Sequence, residues 1–239
     1  MPALHSTHIN GALAFWEGHR KRIVEAIGGD VLKYIDDFIV SGGPDTAWDA
    51  WTVTRVEAGA GESTITHGDT GNGVMLLTAD ANDNDGLNCQ LLGESFKLQS
   101  GKPLYFGAMI QSLSEATQSD FFVGLAITDT DILGGVTDSI GFQKVDGSAD
   151  LTFVVNKDST ATTVSGLKTL AASTAYHLEF YWDGTGLEVF VDGVSVATPA
   201  VTNLPNDEEL RVSVQFLAGT TGGMTMAIDK LTCIKFGRQ

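Results

Sequence analysis

The sequence predicts an all-β protein, two antiparallel sheets packed as a sandwich behind a short N-terminal helical arm. Three observations carry the β part. Residues 176–198, YHLEFYWDGTGLEVFVDGVSVAT, hold three alternating runs with Asp-Gly at both junctions, Asp183-Gly184 and Asp192-Gly193. Beyond them, about a dozen short runs rich in β-branched and aromatic residues recur between glycine-rich or acidic turns, the spacing of a sandwich. The chain also has 28 glycines against 5 prolines, which favours glycine turns over polyproline linkers.

In an extended run successive side chains face opposite ways. Leu187, Val189 and Val191 therefore share one face and Glu188, Phe190 and Asp192 the other. Asp192-Gly193 predicts a two-residue hairpin, because a type I′ turn needs positive φ at both central positions. Asp183-Gly184-Thr185-Gly186 predicts a longer loop, so the stretch reads as a three-stranded meander.

In chain order, residues 1–10 show no periodicity and read as a loose terminus. Over 11–26, Leu13, Trp16, Ile23, Val24 and Ile27 recur at helical spacing and Gly28-Gly29 offers a stop, which predicts a helix; a second helical piece is expected over 30–38. Together these define an arm over 1–35 ahead of a β domain over 36–239. A turn at Gly42-Gly43-Pro44 leads into strands expected over 48–56, 64–67, 74–77, 87–92, 105–112, 121–128, 140–144, 151–156 and 163–169. Past the meander, 210–216 and 224–234 close the series, the last with Met224, Met226 and Ile228 on one face. No fixed repeat period emerges, which excludes a propeller or solenoid.

The 239 residues allow one large domain, and 43% hydrophobic content with mean hydropathy +0.07 is that of a folded chain. A net charge of −16 and a pI near 4.4 oppose binding to nucleic acid or an anionic membrane. No signal peptide is expected, and no run reaches the ~18 apolar residues of a membrane span. Cys89 and Cys233 each fall inside an expected strand and read as small buried hydrophobes.

The residue types that carry chemistry are sparse. Asp80, Asn82, Asn84 and Asp85 form the densest group of oxygen donors and are the calcium candidates, although the glycine falls one place later than in an EF-hand loop and Leu91 stands where its glutamate would be. Asp129/Asp131 and Asp207/Glu208/Glu209 pair carboxylates, but in turn-rich loops, and no strand carries the alternating Glu-x-Asp-x-Glu of a two-carboxylate glycosidase. Neither G-x-S-x-G nor a phosphate-binding glycine loop occurs. No enzymatic activity and no cofactor are therefore expected. The triplet Arg20-Lys21-Arg22, beside Trp16, suits contact with an acidic partner or another subunit. Tyr181-Trp182, next to a turn, is the candidate pair for stacking on a sugar, although neighbours in a strand face opposite ways and at least one of the two fills the core; glycan binding that disappears in Trp182→Ala without loss of folding would favour that role.

With those residues in view, LEFYWDGTGLEVFVDGVSVAT, NLPNDEELRVSVQF and MTMAIDKLTCIKF together resemble the concanavalin A-like or laminin-G-like jelly roll, over about residues 36–236. Joined to NDNDGLNCQL and QSDFFVGLAITDTD, the pattern is similar to virion structural proteins of tailed bacteriophages that carry such a domain. That resemblance implies a capsid decoration, cement or head-fibre protein on the outer capsid surface. Its implied partner is the major capsid protein, and it would be a homo-oligomer for which a trimer suits a three-fold lattice position. The alternative from another class is a carbohydrate-binding module for host surface glycans.

Overall fold

A computed structural model describes residues 3–39, 48–57, 61–68, 73–220 and 223–238. Eighteen strands and no helix are present among them. The first four are β1 (His5–Ile9), β2 (Ala12–Trp16), β3 (Ile23–Ile27) and β4 (Val31–Asp36). Next come β5 (Trp51–Val56), β6 (Thr64–Gly68), β7 (Val74–Ala79), β8 (Gly86–Leu91) and β9 (Leu104–Leu113). The middle of the chain forms β10 (Ser119–Ala126), β11 (Ser139–Lys144), β12 (Asp150–Lys157) and β13 (Thr160–Thr169). The last are β14 (Tyr176–Trp182), β15 (Leu187–Val191), β16 (Val194–Ala197), β17 (Arg211–Ala218) and β18 (Met224–Phe236). Each strand expected from residue 48 onward is there, and the glycine-proline turn at 42–44 lies outside the described residues.

Two large antiparallel sheets make the sandwich. One has seven strands in the order β13-β12-β11-β10-β17-β8-β5; the other runs β16-β15-β14-β9-β18-β7-β6, with β4 paired to β18. Their inner faces interdigitate around Phe106, Phe142, Phe153 and Phe180, whose rings stack or meet edge to face with centroids 5.0–5.5 Å apart. Met224, Met226 and Ile228 share this core, as do Cys89 and Cys233, both free thiols. Burial pushes the Cys89 thiol up to about 12, so it stays protonated and inert. At the Asp192-Gly193 turn φ is 53° and 78°, and Val191 pairs with Val194, the expected two-residue hairpin.

The N-terminal helical arm is corrected: residues 5–27 form a three-stranded antiparallel sheet, β1-β2-β3, and the second predicted helix is strand β4. The inward positions of β2 are Ala12 and Ala14, both buried. Alanine is a strong helix former and carries little strand signal, so the alternation was masked. The larger residues on either side of the 17–22 turn then mimicked a 3.6-residue period. Asn10-Gly11, with φ of 46° and 81°, is the hairpin turn that the periodicity overrode. This small sheet lies on the outer face of the sheet containing β14, where Ala14, Ile23 and Ala26 cover Tyr105, Tyr181, Phe190, Ile234 and Phe236.

Candidate functional site on the outer face of the seven-stranded sheet

The N-terminal sheet covers part of the outer face of one sheet, and the outer face of the seven-stranded sheet carries an uncharged groove. Strand alternation puts Phe121, Val123 and Leu125 of β10 in the core and turns Phe122, Gly124 and Ala126 outward. Register extends this into rows across the strands. Thr152, Gln143, Phe122, Gln215 and Asn88 stand side by side on β12, β11, β10, β17 and β8. The next row is Thr163, Val154, Gly141, Gly124, Ser213 and Gln90. A Cβ on Gly124 or Gly141 would fall 3.0 or 2.9 Å from Phe122 Cζ and closer still to neighbouring backbone, so the two glycines let that ring lie across the sheet.

Half of this face is roofed by residues 127–138. Asn88 Nδ2 donates to Asp129 O at 2.7 Å, Gln90 Nε2 to Ile127 O at 2.8 Å, and Asp129 N donates to Gln90 Oε1 at 2.9 Å. Leu133 N donates to Gln215 Oε1 at 2.8 Å, Gln215 Nε2 to Asp131 Oδ1 at 2.7 Å, and Asn156 Nδ2 to Val136 O at 2.7 Å. Beneath it, Ile132 and Val136 pack on Phe122 and Ala126.

The other half is open. Beside the roof lies a groove of about 220 Å³ lined by Phe122, Val154, Ile132, Leu133 and Val136 on its apolar side and by Ser139, Gln143, Asn156 and Thr163 on its polar side. None of its lining residues is charged. The Gln143 carboxamide makes no hydrogen bond among the described residues. Asn156 Oδ1 is buried and unpaired even though its Nδ2 is engaged. An apolar floor with carboxamides and hydroxyls at its edge can hold a small neutral polar molecule, the carboxamides offering both donor and acceptor.

A second polar cluster, on the opposite side, is structural. Glu179 of β14 is fully buried beneath the N-terminal sheet. Arg22 grips it with two bonds, Nε to Oε1 at 2.8 Å and Nη2 to Oε2 at 2.6 Å, and Tyr105 Oη donates to Oε1 at 3.0 Å. His19 and His177 stand 3.5 and 3.7 Å from its oxygens. Burial by itself would raise the Glu179 carboxyl, but the hydrogen bonds from Arg22 and the nearby imidazoles and positive charge hold it down at about 2. Burial lowers the His177 imidazole to about 4 against the pull of Glu179, with Arg22 and His19 disfavouring a further positive charge and Asp192 favouring one.

The pH dependence follows from these shifts. Above its unfolded value of 6.5, His177 is neutral folded or unfolded; between 6.5 and about 4 only the unfolded chain takes the proton, so stability falls as pH falls through that window. Glu179 adds a second loss as pH drops from 4.5 towards about 2. Urea unfolding at a series of pH values is expected to show about 2–3 kcal/mol lost between pH 7 and pH 4. His177→Asn should remove the upper part of that loss, and a flat profile would contradict the assignment.

The residues singled out from sequence fall elsewhere. Tyr181 is 9% exposed beneath the N-terminal sheet and Trp182 4% exposed in the main core, its Nε1 donating to Gln99 O at 3.0 Å; neither presents a ring to a sugar, and the stacking pair is corrected. Trp16 stacks on His5 with centroids 4.3 Å apart. In the basic triplet, Arg22 is held by Glu179 and Lys21 pairs with Glu188 and lies 5.9 Å from the Tyr181 ring, so these two join the N-terminal sheet to its own sandwich; Arg20 alone is exposed. The calcium candidates do not converge: Asn82 turns its amide nitrogen to Asp85 Oδ2 at 2.9 Å, Asp85 is buried, and Asn84 forms the turn with φ of 63°. Asp129 and Asp131 lie in the roof, Asp129 Oδ1 accepting from Asp131 N.

Sequence does not reveal the groove residues, because Ser139, Gln143, Asn156 and Thr163, scattered over three strands, form no motif. The available signal was the alternation Ser139-x-Gly141-x-Gln143, a strand whose outward side is small and polar in an otherwise apolar run.

No family model and no curated protein matches the chain. Among solved structures, an endo-1,3-beta-glucanase from Streptomyces sioyaensis is similar over 90% of this chain and 100% of its own, with 14% identity and a TM-score of 0.65. A glycoside hydrolase family 16 endo-glucanase from Bacteroides ovatus is similar over 84% and 99%, with 13% identity and a TM-score of 0.61. The carbohydrate recognition domain of Emp46p matches over 83% and 94%, with 10% identity and a TM-score of 0.56. At these identities the likeness shows the fold alone, an all-β jelly-roll sandwich. The expectation that the chain is not an enzyme is corrected by the same likenesses, since endo-glucanases are built on this fold. Nothing in these likenesses shows a phage origin or a virion role, and they do not bear on a capsid partner, a trimer or an outer-capsid location.

Proposed function

We propose that the protein binds a neutral gluco-oligosaccharide in the groove between residues 127–138 and β13. The observation that carries this is an uncharged groove with an apolar floor, the free Gln143 carboxamide and the unpaired Asn156 Oδ1. A pyranose ring has an apolar face and a rim of hydroxyls, and this lining matches both. The chain's net charge of −16, with no lysine or arginine in the groove, disfavours uronic or sulfated sugars. The glucanases and the carbohydrate recognition domain that share the fold support the sugar class.

Calorimetric titration with 1,3-linked and mixed-linkage gluco-oligosaccharides tests it. Binding is expected, and Gln143→Ala should weaken it about five- to tenfold, the loss of one or two hydrogen bonds, with an unchanged melting temperature. Absence of binding to every neutral glucan, or full affinity in Gln143→Ala, would sink the reading.

A further inference from the structure

We infer that residues 127–138 close one end of the groove, so that the site takes the end of a glucan chain, one or two rings deep, and not its interior; this rests on the sugar-binding reading above. The outward rows of the sheet continue without interruption from β12 to β8, and a polymer lying across the strands would follow them. The groove lies on the β11–β13 side of residues 127–138; on their far side the rows reach Thr52 and Thr54 at the β5 edge, so these residues stand between the two edges of the face. Gln215 and Asn88, the next polar positions along the first row, lie under the roof: Gln215 bonds Leu133 N and Asp131, and Asn88 Nδ2 bonds Asp129 O, leaving Asn88 Oδ1 buried and unpaired. Ile132 and Leu133 stand as the wall at which a chain entering from β13 would stop.

The wall is fixed and does not act as a loose flap. Six side-chain hydrogen bonds from the sheet, at 2.7–2.9 Å, hold its backbone and Asp131, and Ile132 and Val136 anchor it to Phe122. Lifting it would break all six bonds together and expose Phe122, a loss that a few extra sugar contacts do not return. The groove volume of about 220 Å³ is below the roughly 300–1,000 Å³ of sites that enclose larger ligands.

The test is a length series. For linear 1,3-linked glucans of increasing length, affinity per chain should rise from one ring to two and then stay within about two-fold up to five rings, because further rings hang in solvent. A cyclic β-glucan, which has no chain end, should bind at least about tenfold more weakly than a linear one, a difference near 1.4 kcal/mol. This arm needs no altered protein. Replacing 130–136 with a short Gly-Ser link should restore binding of the cyclic glucan and make affinity climb with length. An affinity that grows steadily with length in the unaltered protein, or equal binding of the cyclic glucan, would overturn end-on recognition while leaving sugar binding intact. Failure of every linear glucan would overturn both.

Discussion

Arg22→Met is expected to destabilise the protein by about 3–5 kcal/mol. The methionine keeps most of the length and the apolar contacts of the arginine, but removes both bonds to Glu179, a carboxylate with no exposure to water. Left with Tyr105 and two imidazoles, Glu179 would have to stay charged in a poor environment or take up a proton. Either way its carboxyl rises from about 2. The loss should therefore shrink as pH falls towards 4, where protonation relieves the buried charge. Hydrogen exchange should locate the damage in β1–β3 and in the Tyr105, Tyr181 and Phe190 face they cover. Adding Glu179→Gln should recover part of the stability, since a neutral partner needs no counter-charge. Urea unfolding of the single and double variants measures all of this. A single-variant loss under about 1 kcal/mol would show that the pair does not hold the N-terminal sheet.

Trp182→Ala should cost a similar amount, about 3–5 kcal/mol, for a different reason. Trp182 sits at the end of β14 between Leu104 and Leu187, packed in the main core, and its indole N–H satisfies the carbonyl of Gln99. Truncation would leave a large cavity and an unpaired carbonyl. The folded fraction should still bind gluco-oligosaccharide with its original affinity, because the residue lies in the core, on the opposite side of the seven-stranded sheet from the proposed groove. Thermal unfolding combined with calorimetric titration separates the two effects. Loss of sugar affinity with stability intact would return Trp182 to the binding role first read from its place beside a turn.

What was legible in the sequence was local. Asp192-Gly193, the alternation of Leu187, Val189 and Val191, and the face shared by Met224, Met226 and Ile228 are signals confined to a few residues, and each is found as expected. The N-terminal sheet is illegible because its strands are only five residues long and alanines occupy three of its four buried positions, Ala12, Ala14 and Ala26 beside Ile23. The site was illegible for a stronger reason. Whether Tyr181 faces solvent depends on the N-terminal sheet, far away in sequence, coming to lie over it. Whether Gln143 is free depends on where residues 127–138 cross the sheet. Neither is encoded in the neighbours of those residues.

Where a sugar sits is the most direct measurement. A crystal structure of the protein soaked with a 1,3-linked glucose trisaccharide should show it against Val154, hydrogen-bonded to Gln143 and Asn156, with its terminal ring against Ile132 and Leu133. A sugar bound elsewhere on the surface, or a groove without one while titration detects binding, would contradict it.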